Sequence, residues 1–156
     1  MKPLPENSQI CFGSRGDKPG MFTTPSSGDV ITFKLIHLNG AVSCHIAAPR
    51  SNWGCKSRNA PDKMGTFIAD SSKTRLLPNN AELFGGLSCD MQLYYNLPGH
   101  TPDSPQLLFD NFTTPLPVTA GQQFAVWFGE DFHDCNDRDN PLEREVACVH
   151  VYGLFV

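Results

Sequence analysis

The strongest pattern in the chain is the run Val30-Ile31-Thr32-Phe33-Lys34-Leu35-Ile36-His37-Leu38, β-branched and apolar, followed at once by Asn39-Gly40. Asn-Gly is preferred in two-residue type I′ turns, because both central residues must take positive φ. Ala41-Val42-Ser43-Cys44-His45-Ile46-Ala47 then predicts the returning strand. With Asn39 and Gly40 as the loop, Leu38 faces Ala41, His37 faces Val42, Leu35 faces Cys44 and Phe33 faces Ile46. One face of this hairpin carries Phe33, Leu35, Val42, Cys44 and Ile46 and belongs to a core. The other carries Lys34, Ile36, Ser43 and His45 and is half wet.

Further strands are predicted at residues 10–12, 65–69, 87–95, 106–109, 123–128 and 146–155. Turn signals separate several of them: Leu77-Pro78-Asn79-Asn80, Leu97-Pro98-Gly99, Pro115-Leu116-Pro117 and Ala120-Gly121. Helical periodicity is confined to Asn80-Ala81-Glu82-Leu83-Phe84 and Pro141-Leu142-Glu143-Arg144-Glu145, a turn or two each. Residues 1–29 hold Pro3, Pro5, Gly13, Gly16, Pro19, Gly20, Pro25 and Gly28, and read as an extended Gly/Pro-rich N-terminal segment. With no repeat and no linker, the pattern predicts one all-β domain over residues 1–156. Its expected form is an antiparallel β-sandwich or jelly roll of about seven to nine strands, stabilised by disulfides. It is not of immunoglobulin type: Cys44 and Trp53 stand too close, and no Tyr lies two residues before Cys89 or Cys148.

Composition sharpens this. Gly 13 and Pro 13 together make about one residue in six of the 156, against roughly 12% in average chains, which fits many short strands. Net charge is −4, which removes the electrostatic reason to expect nucleic acid or an anionic membrane surface. No apolar stretch approaches the ~18–20 residues that would insert in a bilayer as a helix. Met1-Lys2-Pro3-Leu4-Pro5 lacks the apolar run of a signal peptide, so a mature domain or one module of a longer secreted chain is expected.

The six cysteines, Cys11, Cys44, Cys55, Cys89, Cys135 and Cys148, include no C-x-x-C pair, which argues for disulfides over zinc. Six cysteines allow 15 connectivities, and spacing ranks them without deciding. Cys44 with Cys55 closes a local loop, worth about 3 kcal/mol by loop entropy. Cys11 and Cys148 sit on the first and last strands, which leaves Cys89 with Cys135. Disulfides place the chain outside the cytosol. The glycosylation sequon Asn111-Phe112-Thr113 agrees with secretion.

Three segments carry candidate chemistry. The first is acidic: Glu130, Asp131, Asp134, Asn136, Asp137 and Asp139 offer a shell of hard oxygens suited to Ca²⁺. A solvated acidic turn, partly neutralised by Arg138 and Arg144, is the plain alternative, and the EF-hand pattern fails for want of its central Gly. The second is the loop of Arg50, Asn52 and Trp53, an aromatic flanked by hydrogen-bond donors and stiffened by a Cys44–Cys55 bond, suited to sugar or peptide recognition. Its alternative is a Trp53 ring folded over the core rim. The third is Arg15-Gly16-Asp17, an adhesion-type tripeptide in the Gly/Pro-rich segment. His37, His45, His100, His133 and His150 are scattered, and no H-E-x-x-H, nucleophile elbow or phosphate loop occurs.

Several phrases together resemble a known module: Gly20-Met21-Phe22-Thr23-Thr24-Pro25-Ser26-Ser27-Gly28, Val42-Ser43-Cys44 with Trp53-Gly54-Cys55, Trp127-Phe128-Gly129-Glu130-Asp131, and Cys148-Val149-His150-Val151-Tyr152. The chain is similar to an extracellular cysteine-bridged β module of coral and sea-anemone secreted proteins. That resemblance implies a secreted, disulfide-bridged β domain and brings no catalytic residues with it. Pro141-Leu142-Glu143-Arg144-Glu145 departs from the shorter turn the resemblance leads one to expect, which weakens the calcium expectation.

The expectation is therefore a secreted, non-enzymatic, lectin-like module. It would recognise carbohydrate or an extracellular protein through loops at one end, with calcium as the expected cofactor. The alternatives are a structural adhesion or matrix domain without a small ligand, and a secreted hydrolase.

Overall fold

A computed structural model describes residues 2–4, 9–13, 18–43, 49–57, 60–79, 94–129 and 146–156. These residues hold twelve strands: β1 (Lys2–Leu4), β2 (Ile10–Gly13), β3 (Gly20–Thr23), β4 (Gly28–Gly40), β5 (Gly54–Ser57), β6 (Ala60–Met64), β7 (Thr66–Asp70), β8 (Arg75–Leu77), β9 (Gln106–Leu108), β10 (Leu116–Val118), β11 (Gln123–Phe128) and β12 (Val146–Phe155). That exceeds the seven to nine expected, because several are only three or four residues long. The pattern at 10–12, 65–69, 106–109, 123–128 and 146–155 corresponds to β2, β7, β9, β11 and β12. Most of 87–95 lies outside the described residues, though Tyr95 at its end bridges Met64.

A six-stranded sheet is built on the two longest strands. β12 pairs β4 along one side and carries β1 and β2 along the other, while β9 and β10 pair the far side of β4. A four-stranded sheet runs β3-β11-β7-β8, and β5 and β6 form a separate ribbon. All pairings are antiparallel. The two larger sheets face each other through aromatic rings. Phe33 of β4 meets Phe22 of β3 with ring centroids 5.6 Å apart and Phe124 of β11 at 5.7 Å. Fully buried Phe12, Phe67, Phe109, Phe128, Leu35 and Ile68 extend that layer, so the fold is a β-sandwich.

The N-terminal segment is not merely extended chain. β1 and β2 pair β12, and β3 pairs β11, so Gly and Pro punctuate three short strands there. Gly20 begins β3 because a Cβ there would stand 2.9 Å from the Cys11 carbonyl oxygen, closer than real Cβ contacts come. Cys11 lies directly opposite Cys148 in the β2–β12 register, and a disulfide joins them over a sequence separation of 137. Cys44, Cys89 and Cys135 lie outside the described residues, and so do the pairings Cys44–Cys55 and Cys89–Cys135.

The Asn39-Gly40 hairpin does not form. β4 runs straight through these residues, with Asn39 opposite Cys148 and Gly40 opposite Ala147. His37 faces Val149 rather than Val42, and Val42 bonds Ser51 in both directions at 2.8 Å. Competition explains the outcome. A two-residue turn would have paired β4 with a short local segment, whereas β12 offers it nine register partners and a shared buried face. Gly40 still takes φ 77°, a left-handed conformation that suits glycine. It serves there beside a bulge, since the register shifts between Cys148 and Val149 and leaves Leu38 without an opposite residue.

Candidate functional site

Antiparallel registers bring particular strand ends together. Gly40 at the end of β4 lies opposite Ala147 near the start of β12, and Val146 lies opposite Gly13 at the end of β2. In the second sheet, Phe128 at the end of β11 pairs Thr66 at the start of β7. Trp53 connects these two sets. Its carbonyl accepts from the Gly65 amide at 2.7 Å and from the Thr66 hydroxyl at 3.0 Å, and its ring meets His37 edge-on at 5.9 Å. His37 Nε2 in turn lies 2.8 Å from the Gly40 carbonyl oxygen. Gly65 also accepts from the Gly129 amide at 2.7 Å.

One end of the sandwich thus holds the points where four connections leave or return. The Gly13 amide donates to the Lys18 carbonyl at 2.8 Å, closing the ends of the segment that contains Arg15, Gly16 and Asp17. The Ala41 amide donates to the Val146 carbonyl at 3.1 Å, tying the return of residues 130–145 to β4. Arg15, Gly16 and Asp17 themselves lie outside the described residues, as do Glu130, Asp131, Asp134, Asn136, Asp137 and Asp139.

The Arg50–Trp53 loop is fully described. Ser51 turns it, its hydroxyl donating to the Gly54 carbonyl at 2.6 Å and accepting from the Gly54 amide at 3.0 Å. Of the two readings of Trp53, a ligand-facing ring or one folded over the core, its burial agrees with the second: the residue is 0% exposed. Its indole Nε1–H donates to the Ser104 carbonyl at 2.6 Å, and its amide donates to Pro102 at 3.0 Å. A ring of this size gains most by burial, and its one polar atom is satisfied from a neighbouring loop. Asn52 is half-buried and spends its side-chain amide the same way, donating to the carbonyls of Ser104 at 3.1 Å and Asp103 at 3.3 Å. Arg50 alone of the three is exposed. Trp53 and Asn52 therefore hold a loop in place, while Arg50 is exposed at the surface.

In the sequence, the loop they hold, residues 94–105, carries the end of the strand predicted at 87–95 and the turn signal Leu97-Pro98-Gly99. Tyr95 anchors its start: backbone bonds to Met64 run both ways, and its hydroxyl donates to the Thr66 carbonyl. Its middle shapes a depression of about 380 Å³, lined by Asn96, Leu97, Pro98, Gly99, His100 and Thr101. His100 fixes the outer wall. The Leu108 amide donates to His100 Nε2 at 3.2 Å, so that nitrogen accepts, and Nδ1 is the one that donates to the Pro98 carbonyl at 3.1 Å. The depression combines the side-chain amide of Asn96 and the hydroxyl of Thr101 with the aliphatic surface of Leu97 and Pro98, while both ring nitrogens of His100 are already bonded within the loop and to Leu108. Among the described residues, no group of three His, Cys, Asp or Glu side chains is placed to hold a metal ion.

Fold and site together define a class: a disulfide-tied antiparallel β-sandwich whose loops gather at one end around a buried tryptophan scaffold. No protein-family model matches the chain, and no curated protein matches it by sequence. Among solved structures it is similar to AJLec from the sea anemone Anthopleura japonica, with 28% identity, a TM-score of 0.85, and coverage of 99% of this chain and 96% of that one. The similarity to a sea-anemone β module thus has a solved counterpart extending over nearly the whole fold.

Proposed function

We propose that this protein is a lectin-type binding module, non-enzymatic and extracellular, that recognises carbohydrate. One observation carries the reading: near-complete structural similarity, at 28% identity, to a sea-anemone protein whose name marks it as a lectin. The loop architecture supports it. A ligand seated in the Asn96–Thr101 depression would meet a wall held by Trp53, Asn52 and His100, so little ordering would be left for binding to offset. Exposed Arg50 would add charge-assisted hydrogen bonds to sugar hydroxyls or to an acidic sugar. Calcium assistance through Glu130, Asp131, Asp134, Asn136, Asp137 and Asp139 is part of the same proposal, since both flanks of that segment, Gly129 and Val146, belong to the loop-bearing end.

The test is a glycan array read in millimolar Ca²⁺ and again in EDTA, with wild type and Arg50→Ala. The expected result is a restricted set of bound glycans, weakened about tenfold or more by Arg50→Ala, the loss of one hydrogen bond from a charged group. A wild type that binds no glycan in Ca²⁺ would reject the lectin reading and leave an adhesion domain with a protein partner.

A further inference from the structure

The sequon Asn111-Phe112-Thr113 lies in the connection between β9 and β10, and its backbone is held at every residue from 109 to 112. The Thr32 hydroxyl donates to the carbonyls of Phe109 at 2.9 Å and Asp110 at 3.2 Å. Asn79 donates its side-chain amide to the Asn111 carbonyl at 3.3 Å, and the Phe112 amide donates to Ile31 at 2.8 Å. Phe112 is half-buried, packs against the core and meets Phe33 edge-on with ring centroids 6.3 Å apart. With the central residue turned inward, its two neighbours turn out: Asn111 and Thr113 are both exposed. The single bond formed at Asn111 uses its carbonyl, and among the described residues nothing engages its side-chain amide.

We infer that Asn111 is an N-linked glycosylation site, acceptor for an oligosaccharide carried on a lipid pyrophosphate. The inference rests on the extracellular reading for the compartment and on geometry for the site. In the transfer, Asn111 Nδ2 forms a bond to the anomeric carbon of the first sugar. The bond from that carbon to the pyrophosphate oxygen breaks, its electron pair leaves with the lipid pyrophosphate, and the amide gives up one proton. Both groups the sequon requires, the amide of Asn111 and the hydroxyl of Thr113, are at the surface, and a bulky glycan fits without disturbing Phe112 in the core. Asn111 also stands between β9 and β10, each paired to β4 on one side, so the glycan leaves from the rim of the six-stranded sheet rather than across a packed face. Asn111 heads the one N-x-Ser/Thr triplet in the sequence, so one glycan per chain is the expected stoichiometry.

The test sends the full chain, behind a secretion signal, through a eukaryotic secretory pathway beside Asn111→Gln and Thr113→Ala. Wild type is expected to run as one discrete heavier species that collapses with peptide:N-glycosidase F, which leaves an aspartate at position 111 in the peptide mass map. Both variants are expected to run at the unmodified mass. Should either variant fail to be secreted, glycosidase treatment and mapping of wild type alone decide the site. Secreted wild type with the unmodified mass would overturn the inference, and would do so whatever the glycan array shows.

Discussion

Replacing Trp53 with alanine separates a scaffold residue from a ligand-contacting one. The ring is fully buried, so truncation removes its apolar contacts and opens a cavity, a change that costs about 3–5 kcal/mol for a buried Trp. It also deprives the Ser104 carbonyl of its indole donor, part of the same loss. For a chain of this length each kcal/mol lowers the melting temperature by about 2–4 °C, so Trp53→Ala should melt roughly 6–20 °C below wild type. Against a typical total of about 5–15 kcal/mol, that change approaches unfolding. Trp53→Phe is the finer probe. It keeps an aromatic ring but removes the indole donor, leaving the Ser104 carbonyl only its bond from Asn52, an expected cost of about 0.5–1.5 kcal/mol. The assay is thermal and urea unfolding of both variants, with glycan binding measured at a temperature where each is folded. Scaffold residues lose stability first and binding only in proportion. Melting of Trp53→Ala within about 2 °C of wild type, with binding abolished, would refute the burial argument and return the ring to the ligand.

Removing the Cys11–Cys148 link by Cys11→Ala/Cys148→Ala frees a loop of 137 residues in the unfolded chain, and chain entropy puts the cost at about 5 kcal/mol. Urea midpoints measure it, and a loss below about 1 kcal/mol would mean that the unfolded chain is constrained by something else. Gly40→Ala should destabilise by more than about 1 kcal/mol, because φ is 77° and a Cβ would stand 2.0 Å from the Val146 carbonyl oxygen. Equal stability in calorimetry would show that the β4–β12 ladder opens freely there. Calcium binding should raise the melting temperature in millimolar Ca²⁺ over EDTA, since a ligand that prefers the folded state stabilises it. Identical melts would reject a calcium site in residues 130–139.

Sequence pattern alone located β4, β7, β11 and β12, because their β-branched and aromatic runs are long enough for periodicity to stand out from turn residues. β1, β3, β5, β6, β8 and β10 escaped it. Each is three to five residues long, and several contain Gly or Pro, so too few positions exist to show a period of two. The Arg50–Trp53 loop was visible as an aromatic among polar residues. Whether Trp53 faced a ligand or the core depended on Ser104, which is 51 residues away and carries no mark in the sequence. His100 was one histidine among five. Its place in the wall of the depression follows from Leu108, an edge-strand residue whose outward amide took the imidazole as its acceptor.

The sequence by itself determined the all-β character, the cysteine-bridged context, the modest net negative charge, and the presence of one sequon at Asn111. These follow from local preferences and composition, which act over a few residues. Tertiary structure alone decided the partner of β4, the burial of Trp53, and the gathering of four connections at one end. Asn39-Gly40 shows the division. As a dipeptide it favours a tight hairpin, but the preference of one turn is worth little against nine register partners along β12 and the buried face they share. Glycine's left-handed conformation survived, and the long-range pairing set what that conformation was used for.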